Sequence, residues 1–165
     1  MFYRHRTRNV GRKSGKRRTH PLMSREDGDN LVIFAVTNTG SLKNPENAKN
    51  CLAVGATGAS GSQQNHCTGG QGPTNDGRRK PDLVAPGERI LSCRHDFVAA
   101  GTSENDLDVR LSGTSMAAPH VSGLLAAFLS SKQEFIGQPD RIKQLLLDSC
   151  VDLGRDRALQ GAGLP

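Results

Sequence analysis

Apolar residues recur along this chain in two rhythms that predict alternating strands and helices. Residues 31–36 (Leu-Val-Ile-Phe-Ala-Val) and 51–56 (Cys-Leu-Ala-Val-Gly-Ala) are unbroken apolar runs of strand length, the pattern of strands covered on both faces in a parallel sheet. Residues 89–93 form a shorter strand candidate. In residues 107–111, Leu107, Val109 and Leu111 alternate with Asp108 and Arg110, the period of a half-exposed strand. From Met116 to Leu129 most positions are apolar or small, which predicts a helix buried on most of its faces. Pro139 suits the first turn of a second helix, with Ile142, Leu145 and Leu146 as its inner face and an end near Ser149. Residues 58–74 are rich in Gly, Ser, Gln and Thr and read as a surface loop. The order of elements implies an α/β fold.

Candidate chemistry sits where the last strand delivers the chain to the long helix, in Gly113-Thr114-Ser115-Met116-Ala117-Ala118-Pro119-His120-Val121-Ser122-Gly123. Gly113 lets the chain turn without a Cβ penalty, and Thr114 or Ser115 can cap the helix with a side-chain oxygen. The helix therefore begins at or next to Ser115, which places a hydroxyl at its N-terminus. Unpaired N–H groups and the positive end of the helix dipole there favour the negative charge that develops on a carbonyl oxygen under attack. A serine hydroxyl is a weak nucleophile at neutral pH, so the chemistry also needs a base and a group that orients the base.

The whole string resembles the active-serine motif of the subtilisin-like serine proteases, the subtilases. Three further segments agree in order and spacing. Residues 31–40 (Leu-Val-Ile-Phe-Ala-Val-Thr-Asn-Thr-Gly) resemble the strand and loop that carry the family's oxyanion-hole asparagine, here Asn38. Residues 50–56 resemble its next strand, and residues 76–87, with Lys80-Pro81-Asp82 and Ala85-Pro86-Gly87, resemble the segment upstream of the serine. The resemblance covers residues 29–165 and implies a parallel-sheet subtilisin-like fold. It implies a serine endopeptidase mechanism in which Ser115 attacks a peptide carbonyl of a peptide or protein substrate. Asn38 and the Ser115 N–H would hold the oxyanion, and Ala35, Val36 and Thr37 would wall the pocket for the side chain preceding the cut. Thr37 stands where the family usually has glycine. The resemblance calls for no cofactor, and no metal ligand is assigned.

The family places its residues in the order Asp, His, Ser, with the Asp in an Asp-[Ser/Thr]-Gly turn and the His in His-Gly-Thr-His. Neither motif occurs before Asn38. Glu26, Asp27 and Asp29 lack the following Ser or Thr and Gly, and His5 and His20 are followed by Arg6 and Pro21. His66 and His95 come after the oxyanion strand without matching context, and His120, five residues along the helix from Ser115, reads as a packing histidine. The expectation is an incomplete, C-terminal portion of a subtilase catalytic domain. Alone it would be close to inactive, since loss of base and orienting acid lowers turnover on the order of 10⁶. A missing N-terminal half of the domain is the partner this reading implies. The alternative is a non-catalytic peptide-binding module.

Charge divides the 165-residue chain in two. Its net charge is +6, yet residues 1–25 hold nine Lys or Arg and no acid, leaving 13 bases against 16 acids beyond. Residues 1–28 therefore read as a basic, disordered extension and residues 29–165 as the partial catalytic domain. A run such as Arg12-Lys13-Ser14-Gly15-Lys16-Arg17-Arg18 is able to contact phosphates, which makes nucleic-acid binding by the tail a further alternative. The scarcity of aromatics for base stacking favours a solvated extension over that role. No secretory signal or membrane span is evident, and the localisation stays open. Cys51, Cys67, Cys93 and Cys150 are spaced unlike a zinc site and read as thiols more readily than as two disulfides.

Overall fold

The computed structural model describes residues 30–58, 69–94 and 108–165 in full, and the backbone of two strands near the N-terminus. These two, β1 (Tyr3–Val10) and β2 (Arg17–Ser24), pair antiparallel with Tyr3 opposite Ser24 and Val10 opposite Arg17, in a two-stranded sheet of their own. They fall within the segment expected as a basic extension. The boundary drawn near residue 28, like His66, Cys67 and His95, lies outside the described residues.

The centre is a parallel sheet in the order β3–β4–β5: Val32–Ala35, Cys51–Thr57 and Leu83–Pro86. Both apolar runs are strands as predicted, with Val32 aligned to Cys51 and Ala35 to Val54. β4 is buried from end to end, as its lack of polar side chains up to Ala56 requires. β5 was legible in the sequence only as a motif, because its apolar core is three residues long and bounded by Asp82 and Pro86. A second, antiparallel pair, β6 (Ile90–Cys93) and β7 (Asp108–Leu111), leads to the turn at Gly113.

Helix α1 (Thr114–Ser131) lies on the sheet and, with α2 (Pro139–Ser149), closes a core of Leu52, Val54, Ala56, Leu83, Ala85, Ala117, Val121, Leu125, Ile142 and Leu146. Two expectations need correction. α1 buries only Thr114, Ala117, Val121 and Leu125, one stripe at spacings of three and four, while Ser122, Gly123, Leu124, Ala126 and Ala127 are exposed. No described element covers that second face. In α2 the inner face is Ile142 and Leu146, whereas Leu145 is 42% exposed, since residue 145 points a quarter-turn away from the sheet.

Beyond α2 the chain passes through a short helix, α3 (Arg157–Gln160), and returns along the outer edge of β5. The N–H of Val84 donates to Gly163 O at 2.9 Å, and the N–H of Ala162 to Asp82 O at 2.8 Å. The opposite edge, β3, has no neighbour among the described residues. The lower end of the sheet is tied by Asp82, whose Oδ2 accepts from Ala53 N–H at 2.7 Å and from Lys80 Nζ at 2.5 Å. Lys80 is buried and also donates to Cys51 O, which Lys143 of α2 reaches at 2.7 Å. This explains physically why a lysine and an aspartate flank Pro81: a buried cation needs a carboxylate and a carbonyl at once.

Candidate active site

Ser115 is placed by two successive backbone contacts. Gly87 N–H donates to Thr57 O at the end of β4, and Gly113 N–H donates to Gly87 O at 2.7 Å, so the turn before α1 is hung from the ends of β4 and β5. A Cβ on Gly87 would lie 2.7 Å from both Gly113 O and the Ala56 Cβ, which leaves room only for glycine. Gly113 is itself the helix N-cap, with φ of 149°, and its Cα faces the Asn38 amide so closely that a Cβ would sit 3.3 Å from it.

The cap differs from the one expected. Neither Thr114 nor Ser115 caps the helix through its side chain. The Thr114 hydroxyl instead approaches Val36 O closely, and it lies 3.0 Å from Asn38 Oδ1. A hydroxyl has one proton, and a carbonyl can only accept, so that proton belongs to Val36 O. Asn38 Oδ1 is held by the Thr114 N–H at 3.0 Å, across 76 residues of sequence. Asn38 thus satisfies one of the orphan donors of α1 from outside the helix, and its Nδ2 is left as the donating end of the amide.

The nucleophile candidate is exposed, and neither its Oγ nor its N–H carries a hydrogen bond among the described residues. Its free N–H, the Asn38 amide and the N-terminal end of an 18-residue helix lie at one corner of the sheet. His120 does not join them: it is exposed, and its Nδ1 donates to Met116 O at 2.8 Å on its own helix, so the expected packing role is replaced by a surface one.

The three candidate pocket residues lead into this corner. Ala35 ends β3, Val36 is buried and continues the ladder through its N–H to Val54 O at 3.0 Å, and Thr37 leaves the sheet. Thr37 O accepts from Gly70 N–H at 2.6 Å, and Thr37 N–H faces Glu46 Oε1 at 3.4 Å. Glu46 and the structural use of Thr114 were not foreseen. Glu46 lies in a polar stretch that reads as loop, and the reach of Thr114 to Val36 spans 78 residues, which no local pattern reports. Among the described residues there is no group of His, Cys, Asp and Glu able to hold a metal ion.

The parallel sheet thus hangs the Gly-Thr-Ser turn opposite the Asn38 amide. The subtilase family profile matches residues 6–164, and the chain belongs to the subtilase family, a family of serine proteases. It is 30% identical over 130 residues to the serine protease AprX of Bacillus subtilis, covering 70% of this chain and 29% of AprX. It is 42% identical over 78 residues to pyrolysin of Pyrococcus furiosus, covering 46% of this chain and 5% of pyrolysin. Among solved structures it is similar to the prenylagaramide maturation protease PagA, with a TM-score of 0.61 and 30% identity over 82% of this chain and 47% of PagA. The CspB protease of Clostridium perfringens gives a TM-score of 0.57 and 30% identity over 75% of this chain and 26% of CspB. The chain thus spans less than a third of AprX and less than half of PagA. No helix among the described residues is long and apolar enough to cross a membrane.

Proposed function

We propose that this chain is the nucleophile-bearing part of a serine endopeptidase. Ser115 Oγ attacks the peptide carbonyl, the Asn38 Nδ2 and Ser115 N–H receive the oxyanion, and Ala35, Val36 and Thr37 wall the pocket before the cut. The observation that carries this reading is the 3.0 Å bond from Thr114 N–H to Asn38 Oδ1, which joins the two motifs and leaves Nδ2 as the donating end of the amide. The base and its orienting acid come, in this reading, from polypeptide outside the described residues. That polypeptide would cover the bare face of α1 and the outer edge of β3. Val36 N–H points to β4, so by strand alternation the backbone groups of Ile33 and Ala35 point to the open side.

A fluorophosphonate probe tests the proposal. Ser115 is expected to be labelled in a mixture with a subtilase N-terminal half that supplies the Asp and His, and to be close to inert alone. The second reading is a peptide-binding module without catalysis. Peptide binding with no labelling in either condition would establish that reading and overturn the first.

A further inference from the structure

We infer that Glu46 is the positioning residue of the oxyanion loop, a role that rests on the reading of Asn38 given above. Asn38, Thr39, Gly40 and Ser41 are all exposed, so packing alone does little to hold the segment that carries the amide. Glu46, by contrast, is only 4% exposed. Its Oε1 accepts from the Lys43 N–H at 2.6 Å and faces the Thr37 N–H at 3.4 Å, which lie on either side of the exposed segment. The carboxylate therefore clasps the loop at both ends.

The clasp leads directly to the site. Thr37 is gripped at its N–H by Glu46 and at its C=O by Gly70, and Asn38 is the next residue. Asn38 then meets the first turn of α1 through Thr114. Among the described residues, the groups that receive the Glu46 carboxylate are the backbone N–H groups of Lys43 and Thr37. A buried carboxylate is costly unless such groups receive it, and charge-assisted bonds to N–H donors are about twice as strong as neutral ones. The Glu46 backbone itself reaches the sheet, since its carbonyl and that of Ala48 each lie 3.3 Å from the buried Cys51 thiol on β4, which shares its one proton between them. Glu46 thus links the rigid middle of the sheet to a loop that must be held to within a fraction of an ångström. Misplacement of a reacting group by about 1 Å lowers rates about 100-fold.

The test compares an N-acetyl tetrapeptide aldehyde with the matching tetrapeptide alcohol, at equilibrium, on the full chain mixed with the subtilase N-terminal half that supplies the Asp and His. The aldehyde adds to Ser115: the Oγ–C bond forms, the carbonyl π pair moves to oxygen, and the hydroxyl proton passes to that oxygen, giving a hemiacetal. The alcohol uses the pocket alone, so the aldehyde-over-alcohol preference reads the oxyanion donors. The ratio is independent of the fraction of folded protein, because both ligands need the same folded state. We expect Glu46→Ala to lower the preference about tenfold or more. Glu46→Gln, which keeps an acceptor oxygen, should retain most of it. Asn38→Ala should lower it at least as far, leaving the part due to the Ser115 N–H and the hemiacetal bond, and Glu46→Ala should add nothing further in that background. An unchanged preference in Glu46→Ala, or equal losses in the presence and absence of Asn38, overturns the inference and leaves the active-site reading standing. A wild-type mixture that the fluorophosphonate labels at Ser115 but that binds both ligands equally overturns the reading of Asn38 and this inference with it.

Discussion

Thr114 illustrates how one side chain at this site serves the fold before any chemistry begins. It is 1% exposed, its hydroxyl proton goes to Val36 O and its N–H to Asn38 Oδ1. Thr114→Val keeps the shape and removes the donor, leaving a buried carbonyl without its partner. The expected loss is about 1–3 kcal/mol of stability in urea unfolding, with Thr114→Ser losing less. A value near zero for the valine variant would mean that water replaces the hydroxyl. At this scale the sequence was informative about identity and silent about geometry. The segments around Ser115 and Asn38 were recognisable as family motifs, but the expected side-chain cap at Thr114 or Ser115 is not made, because the Thr114 hydroxyl meets Val36 O just past the end of β3. Glu46 had no local signal at all, since a Pro-Glu-Asn stretch reads as ordinary loop until its carboxylate is seen turned inward.

Among the elements, α1 shows the largest difference between pattern and packing. Its composition is apolar around most of its circumference, yet the described structure buries a single stripe. Leu125 and Leu124 are adjacent in sequence and sit on opposite sides of this divide, at 7% and 44% exposure. Leu125→Ala should lower stability by about 2–5 kcal/mol. Leu124→Ala should stay within about 0.5 kcal/mol of the parent when the chain is measured alone. A large loss for Leu124 would show that the second face is already covered in solution. The strands β3 and β4 were legible because a continuous apolar run has few other uses. β5 was not, because Leu83-Val84-Ala85 is too short to stand out, and it is a strand because β4 on one side and Gly163 on the other supply its hydrogen bonds.

Across the whole molecule, thiol reactivity offers a check on the described core. Cys51, Cys93 and Cys150 are free; Cys93 is exposed on β6, whereas burial pushes the Cys150 thiol up to about 11 and raises that of Cys51 as well. Iodoacetamide at pH 8 should therefore modify Cys93 well before Cys150 and Cys51, as read by mass spectrometry of the digested peptides. A raised thiol value means that the folded state holds the proton more tightly than the unfolded chain does. The contribution of Cys150 to stability is thus intact below about 9 and is lost as the pH rises towards 11. Equal alkylation rates for all three in the native protein would contradict the burial described for β4 and α2.

What the amino-acid sequence determined by itself was local: strands where apolar runs had no polar break, helices where Pro139 and Gly113 opened them, and a motif around Ser115 dense enough to identify the family. What only the tertiary structure decided was every relation across a long stretch of chain. The seating of Asn38 against α1, the clasp of Glu46 on Thr37, the Lys80–Asp82–Cys51 tie and the bare face of α1 all depend on elements that meet in space after folding. The physical reason is that hydrophobic periodicity reports which face of an element is buried. It carries no information about which distant donor or acceptor will satisfy a buried polar group.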